Sequence, residues 1–340
     1  HIHTPNTKKN DQFIGSTNDE KWSLFTKSIN ESDSEVVVVG ITDYFSIDNY
    51  FEFKSLVASG VISRTFEMII PNIELRILPV TGSSTPINIH CLFNPEIDSE
   101  IEDRFLSKLS IRHSDNNYSA SRLSLVRLGR AIKNDPSLEE ALAIKCGIDQ
   151  YVISIDVLRK VFDEDQDLRK NTIIVVSNKS HDGVTGIIKH EDFFTSSGSQ
   201  LDTTRESVYQ LADAIFSSND NDRDYFIGKR TDNKETVIRK CRSLKPCYHG
   251  SDAHTNEDIF KPFENRYCWI KSDPTFEGLK QTLYEPEDRV RIQAFKPDIK
   301  NDRYIISELR FKNTSGHLFG NQSILLNENL NSIIGGKSAG

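Results

Sequence analysis

The sequence predicts an α/β fold, a parallel sheet or barrel covered by helices, on three observations. Strand-like and helix-like segments alternate with short polar loops between them. The β-branched run Val36 to Val39 has the length and composition of a strand buried on both faces. No apolar stretch approaches the roughly 18 to 20 residues that cross a bilayer, which excludes a membrane-spanning helix. With 340 residues the chain exceeds one average domain, so a large α/β domain or a main domain with a small appendage is expected.

The elements follow in order. Thr17-Asn18-Asp19-Glu20 has the form of a capping box and opens a helix to about Asn30. Glu35 to Ile41 reads as a buried parallel strand, and Ser46 caps a helix that stops near Gly60. Phe66 to Ile70 and Ile73 to Leu78 read as two strands broken by Pro71-Asn72, and Ile87 to Phe93 as another. Residues 94 to 150 read as mostly helical, with Pro136 near the start of a helix ending around Gly147. Thr172 to Val176 is a strand that runs into the polar loop Ser177 to Gly183. Glu206 to Phe216 reads as a helix, and Asp273-Pro274 caps and starts another that runs to about Tyr284. From about residue 301 the pattern changes, and Tyr304 to Lys312 and Ser323 to Ile334 read as strands. This places a main domain over 1–300 and the start of a second over 301–340.

Lysine plus arginine (42) against aspartate plus glutamate (50) gives a net charge of −8, which does not advertise a nucleic-acid binder in bulk. A local basic run stands out: Lys229, Arg230, Lys234, Arg239, Lys240, Arg242 and Lys245. It reads either as a solvated helix face or as a track for a phosphate backbone. Five cysteines in no regular framework point to reduced thiols and a cytoplasmic setting. The start lacks an initiator Met and a signal-peptide core, and the end falls in a glycine-rich run, so both ends are expected to be cut.

The candidate chemistry sits at strand ends. His1-x-His3 puts two imidazoles on one side of an extended chain, within reach of one cation, although a surface pair has the same form. Asp43 follows a buried strand, where parallel sheets present catalytic groups; a helix-capping Asp is the other reading. Glu74 is a carboxylate inside an apolar strand, costly unless it is metal-bound or paired, and Arg76 stands on the same face. His90 ends a strand and reads as a ligand or as a satisfied core histidine. Gly250-Ser251-Asp252-Ala253-His254 repeats the period-2 spacing, with Asp252 and His254 on one face beside His249. Carboxylate oxygen mixed with imidazole nitrogen suits zinc, manganese or iron.

Taken in this order, His-x-His-Thr, Ile41-Thr42-Asp43, a strand with Glu74, a strand ending in His90, and Gly-Ser-Asp-Ala-His resemble the PHP (polymerase and histidinol phosphatase) domain over about residues 1 to 290. The stretches Ala212 to Asn219 and Trp269 to Leu279 resemble the branch in which that domain is fused to an SMC- or ABC-type ATPase. The resemblance implies a distorted (β/α)7 barrel, followed by the first strands of an ATPase head. It implies divalent ions, one to three here, held at the barrel mouth by His1, His3, Glu74, His90, Asp252 and His254, with Asp11 a further first-motif candidate. It departs from the family at Tyr44, which stands where the family carries His and whose phenolate is a poor ligand at neutral pH, since its pKa is about 10. The later small-His-Pro motif is also absent, leaving His181 in the polar loop as its substitute.

The activity so implied is phosphoester hydrolysis, by a nuclease acting on DNA or RNA in defence against foreign nucleic acid and regulated by the fused ATPase. Asp43 is then a proton acceptor or a ligand-orienting group, while Lys179 and Arg205 neutralise phosphate or are ordinary surface charges. A degenerate barrel serving as a binding module of the ATPase is the other reading, and homo-oligomerisation is left open. Gly335, Gly336, Lys337 and Gly340 fit the opening of the GxxxxGK[ST] loop that would hold ATP and Mg²⁺ in a longer chain. Lys337-Ser338 cannot be that motif's GK[ST], because its first glycine would fall on Asn331. A flexible glycine tail is the plain alternative.

Overall fold

The computed structural model describes residues 1–187, 202–297, 306–310 and 322–326. The chain divides into two units, His1–Phe295 and Lys296–Gly340. Its strands are β1 (Val38–Tyr44), β2 (Met68–Val80), β3 (Pro86–Phe93), β4 (Ser110–His113), β5 (Asn116–Ser119), β6 (Thr172–Ser177), β7 (Ala214–Phe216), β8 (Cys247–Tyr248), β9 (Tyr267–Ile270), β10 (Val290–Gln293), β11 (Glu308–Arg310) and β12 (Ser323–Leu325). The helices are α1 (Asn18–Asn30), α2 (Asp48–Ala58), α3 (Arg122–Lys133), α4 (Glu140–Asp149), α5 (Ile155–Glu164), α6 (Gln166–Lys170), α7 (Asp202–Leu211), α8 (Asp220–Phe226), α9 (Lys234–Cys241), α10 (Phe276–Tyr284) and α11 (Pro286–Arg289).

The first unit is an α/β body around a six-stranded mixed sheet in the order β1-β2-β3-β6-β7-β8, curled into a half-barrel. β3 runs antiparallel to both neighbours, whereas the other pairs are parallel. The expected all-parallel arrangement is therefore corrected. The connection from β2 to β3 is a tight turn, and a tight turn reverses a chain where a parallel neighbour would need a crossover. Among the described residues the sheet does not close into a sevenfold barrel. Instead, single bridges join Ile2 to Ile41 on one side and to Ala253 on the other.

Several expected elements form as read, and others shift for identifiable reasons. Thr17 caps α1, its hydroxyl accepting from the Glu20 N–H at 3.2 Å, while the Glu20 carboxylate reaches the Ser16 N–H at 2.7 Å. β2 is one strand, not two. Pro71 lies one residue before the antiparallel ladder with β3 begins at Asn72 and Leu92, so its missing N–H interrupts no bond of that ladder. Residues 110–119 form a hairpin, not a helix. The expected helix through Phe216 ends at Leu211, because Asp213 joins the sheet: its N–H donates to the Ile174 carbonyl and its carboxylate accepts from the Ile174 N–H. α10 is capped by Thr275 rather than Asp273, its hydroxyl accepting from the Gly278 N–H. All five cysteines are free.

The sheet has two dissimilar faces. One carries Ile73, Leu75, Ile77, Ile87, Ile89, Cys91, Phe93, Ile174 and Val176 into the main core. Burying each such side chain stabilises by about 1.5–3 kcal/mol relative to leaving it exposed. The alternate residues of β2 begin apolar and turn polar, and those of the antiparallel β3 run the opposite way. Met68, Ile70, Leu92, Ile173, Val175 and Ala214 pack with Tyr248, Phe276, Leu279 and Val290 into a second, smaller cluster. Further along β2 on the same alternation come Asn72, Glu74 and Arg76, opposite Asn88 and His90 of β3. Within the second unit, β11 and β12 pair antiparallel. Of the two longer strands read from the sequence there, Ile306, Ser307 and Leu326 are described and lie outside β11 and β12; the other remaining positions lie outside the described residues, as do Gly335, Gly336, Lys337 and Gly340.

Candidate metal centre

The site is built across the polar end of that sheet face. Tyr44 of β1 is in register with Glu74 of β2, which is in register with His90 of β3, so one row of the sheet carries all three. The first residues of the chain are laid along this row by the backbone. Ile2 N–H donates to the Gly40 carbonyl, Thr42 N–H to Ile2, His3 N–H to Ala253, and Asp252 N–H to His1. The chain after β8 thus meets the N-terminal segment directly. Gly250 permits the approach, since a Cβ there would stand 2.0 Å from the His1 nitrogen.

This brings together residues far apart in sequence. His1 Nε2 lies 2.8 Å from Asp252 Oδ1, and His3 Nε2 lies 3.7 Å from the same oxygen and 3.6 Å from Glu74 Oε2. His254 stacks on His3 with ring centroids 3.9 Å apart, its Nε2 3.9 Å from Asp252 Oδ1, and the His90 ring is 5.1 Å from that of His1. Among the described residues, His1, His3 and Asp252 each offer a ligand atom within 4.8 Å of the others, a grouping that could hold a metal ion. Asp252 does not reach it through the expected period-2 alternation. Its backbone is left-handed, with φ +52°, a conformation that Asp tolerates better than most residues and that turns the carboxylate onto the imidazoles.

The residues behind the imidazoles set their tautomers. Thr7 Oγ1 donates to Asp43 Oδ1 at 3.1 Å and so accepts from His3 Nδ1 at 3.1 Å, which leaves the His3 Nε2 lone pair facing the two carboxylates. In the same way, Asn72 Nδ2 donates to Thr42 Oγ1 at 2.7 Å, so its Oδ1 accepts from His90 Nδ1 at 3.2 Å. His3 Nε2 is buried and has no hydrogen-bond partner. A buried lone pair facing carboxylates at 3.6 and 3.7 Å is costly as it stands and well suited to a shared cation: ligand atoms about 2.0–2.2 Å from one ion are separated by roughly this distance. The residues present therefore fit a divalent metal.

Electrostatics point the same way. Burial lowers the His3 pKa to about 3, outweighing the opposing pull of Asp252, and lowers that of His249 to about 4. His90 and His254 are also lowered, again mainly by burial. These imidazoles are neutral at pH 7, the form that binds metals. Burial raises Glu74 to about 7 against the opposing Arg76 and raises Asp43 to about 6, while Asp252 is held low by His1, bonded to it at 2.8 Å, in spite of its own burial. Tyr44 is raised by burial and by Glu74, and stays a neutral phenol stacked 5.3 Å from His3.

The other expected site residues are placed differently. Asp11 holds Lys21 Nζ at 2.7 Å and accepts from the Asn6 and Phe13 N–H groups, so its oxygens serve the turn before α1. Asp43 does not cap a helix: it lies in β1 and accepts from Lys8 and Tyr44 N–H as well as from Thr7. Lys179 is exposed and reaches Asp252 Oδ2 at 3.4 Å. Arg205 is committed to Asp202 and the Ile187 carbonyl. His181 sits on an exposed turn, where its carbonyl accepts from Thr81. The basic run is not a continuous track. Lys245 is fully buried, Lys229 and Lys234 both pair with Glu287, and Lys240 pairs with Asp232. Sequence reading missed Thr7, Asn72 and Phe216, whose ring lies 4.8 Å from both His1 and His90. For Asn72 a signal existed, since it precedes Glu74 by two on one strand face; nothing local marks Thr7 or Phe216.

No helix among the described residues is long and apolar enough to cross a membrane. No protein-family model matches the chain, and no curated protein matches it either.

Proposed function

We propose that the chain is a metal-dependent phosphoesterase of the PHP type, its half-barrel sheet completed through the Ile2 bridges, acting on a nucleic-acid phosphodiester. The observation that carries this is the buried, unpartnered His3 Nε2 facing Glu74 and Asp252 with His1 beside it. His1, His3 and Asp252 would hold the cation, with Glu74, His90 and His254 around it. A bound zinc, manganese or iron ion would supply Lewis acidity and a water of lowered pKa. The chain's own residues do the rest. Thr7 and Asn72 keep protons on the Nδ1 atoms of His3 and His90, Asp43 positions Thr7, and Lys179 at the rim carries the positive charge that meets an entering phosphate. Gly335, Gly336, Lys337 and Gly340 contribute, on this reading, to the phosphate loop of an ATPase that regulates hydrolysis in the cytoplasm.

Elemental analysis of the purified protein, beside Asp252→Ala and His3→Ala, tests the reading. Wild type carries zinc, manganese or iron and the variants do not. Metal-loaded wild type hydrolyses bis-p-nitrophenyl phosphate, DNA or RNA, and a chelator abolishes the activity. A metal-free wild type ends the proposal. One observation favours a binding module instead: Tyr44, buried and neutral, stacks on His3 where another donor could stand. Metal-loaded protein that cleaves none of the three substrates selects that reading.

A further inference from the structure

We infer that the centre is mononuclear and that the Arg76 guanidinium takes the place of a second metal ion; this rests on the metal-binding reading above. Glu74 has two oxygens and they face different neighbours. Oε2 looks toward His3 Nε2 at 3.6 Å, and Oε1 is paired with Arg76 Nη2 at 3.4 Å. A carboxylate bridges two metal ions by giving one oxygen to each, in the 3.5–4 Å spacing of two-metal sites. Here the second oxygen is already held by an organic cation.

Arg76 is fixed in that position. It follows Glu74 by two on β2 and so shares its face, and its guanidinium carbon lies 5.1 Å from the centre of the Tyr44 ring. Its side chain is only 15% exposed, so it cannot easily swing into solvent to make room. A divalent ion on Glu74 Oε1 would sit against the guanidinium paired with that oxygen at 3.4 Å, whose far face rests on the neutral Tyr44 phenol rather than on an anion. The same charge, on the opposite oxygen of Glu74 from His3, would be placed to receive a phosphoryl oxygen in the role the second cation plays elsewhere.

Titration with Mn²⁺, read by equilibrium dialysis and by electron paramagnetic resonance, tests this without any assay of activity. Wild type is expected to bind one ion per chain, with the hyperfine pattern of an isolated Mn²⁺. Arg76→Lys, which keeps the charge, stays at one; Arg76→Ala, verified as folded by circular dichroism, takes up a second ion and shows an exchange-coupled spectrum. Two or more ions in wild type, or a coupled wild-type spectrum, overturns the inference while leaving metal dependence standing. A folded Arg76→Ala that still binds one ion also overturns it. No binding at all removes the metal-binding reading and this inference with it. The wild-type measurement decides the matter even where Arg76→Ala does not fold.

Discussion

Two ends of one sheet face differ in what they contribute. At one end Met68, Ile70, Leu92, Val175, Phe276 and Leu279 form a small apolar cluster; at the other Asn72, Glu74, Arg76 and His90 carry polar groups and charge beside the unpartnered His3 Nε2. Both ends use the same strands and the same alternation. The apolar end stabilises the body, and the polar end holds donors at a cost that a bound cation would offset. A strand can thus anchor at one half and present chemistry at the other.

The largest expected effect that sharpens this contrast is at the apolar end. Phe276→Ala should cost about 3–5 kcal/mol in urea unfolding while the folded fraction keeps its metal affinity. Equal losses of both properties would mean that the two ends are not separable. A second comparison uses Lys245, a buried charge away from the site, fully covered and bonded to the Ala212 carbonyl. Burial lowers its pKa from 10.5 to about 8. At pH 7 it is protonated both folded and unfolded, so its burial penalty is present in full. Between about 8 and 10.5 the unfolded chain keeps a proton that the folded chain has released, so stability rises with pH by about 3 kcal/mol over that window. Lys245→Met should flatten this rise, as measured by urea midpoints at pH 7.5 to 10.5; an unchanged slope would assign it to other groups.

Smaller effects probe the residues behind the ligands. Thr7→Val and Asn72→Leu remove the groups that hold the His3 and His90 tautomers, and each should weaken metal binding by about 10–100-fold with little change in melting temperature. Unaltered affinity in both would show that the tautomers are set otherwise. The smallest change is expected from Lys179→Ala. Metal content should stay at the wild-type level, because the pair with Asp252 is exposed and such pairs contribute about 0–1 kcal/mol, while KM for a phosphodiester rises.

Much of the local structure was legible in the sequence. Thr17 three residues before Glu20 marks the start of α1, and the apolar alternation of Ile87 to Phe93 marks β3. Where reading failed, a long-range partner was responsible. Pro71 looks like a strand break until the start of the β3 ladder is known, and Asp213 ends a helix only because Ile174 offers it backbone partners. The basic run from Lys229 to Lys245 looks like one surface, yet three of its lysines are paired with acids and one is buried.

The sequence by itself determined the donor types, imidazole and carboxylate without cysteine, and hence the class of ion that suits them. Only the tertiary structure decided which donors meet. His1 and Asp252 are 251 positions apart and are brought to 2.8 Å by backbone bonds on both sides of Ile2, by a glycine that leaves room, and by a left-handed turn at Asp252. Local spacing encodes which way a side chain points along its own strand, whereas convergence depends on how distant strands are laid beside one another, and that is set by the burial of the whole core.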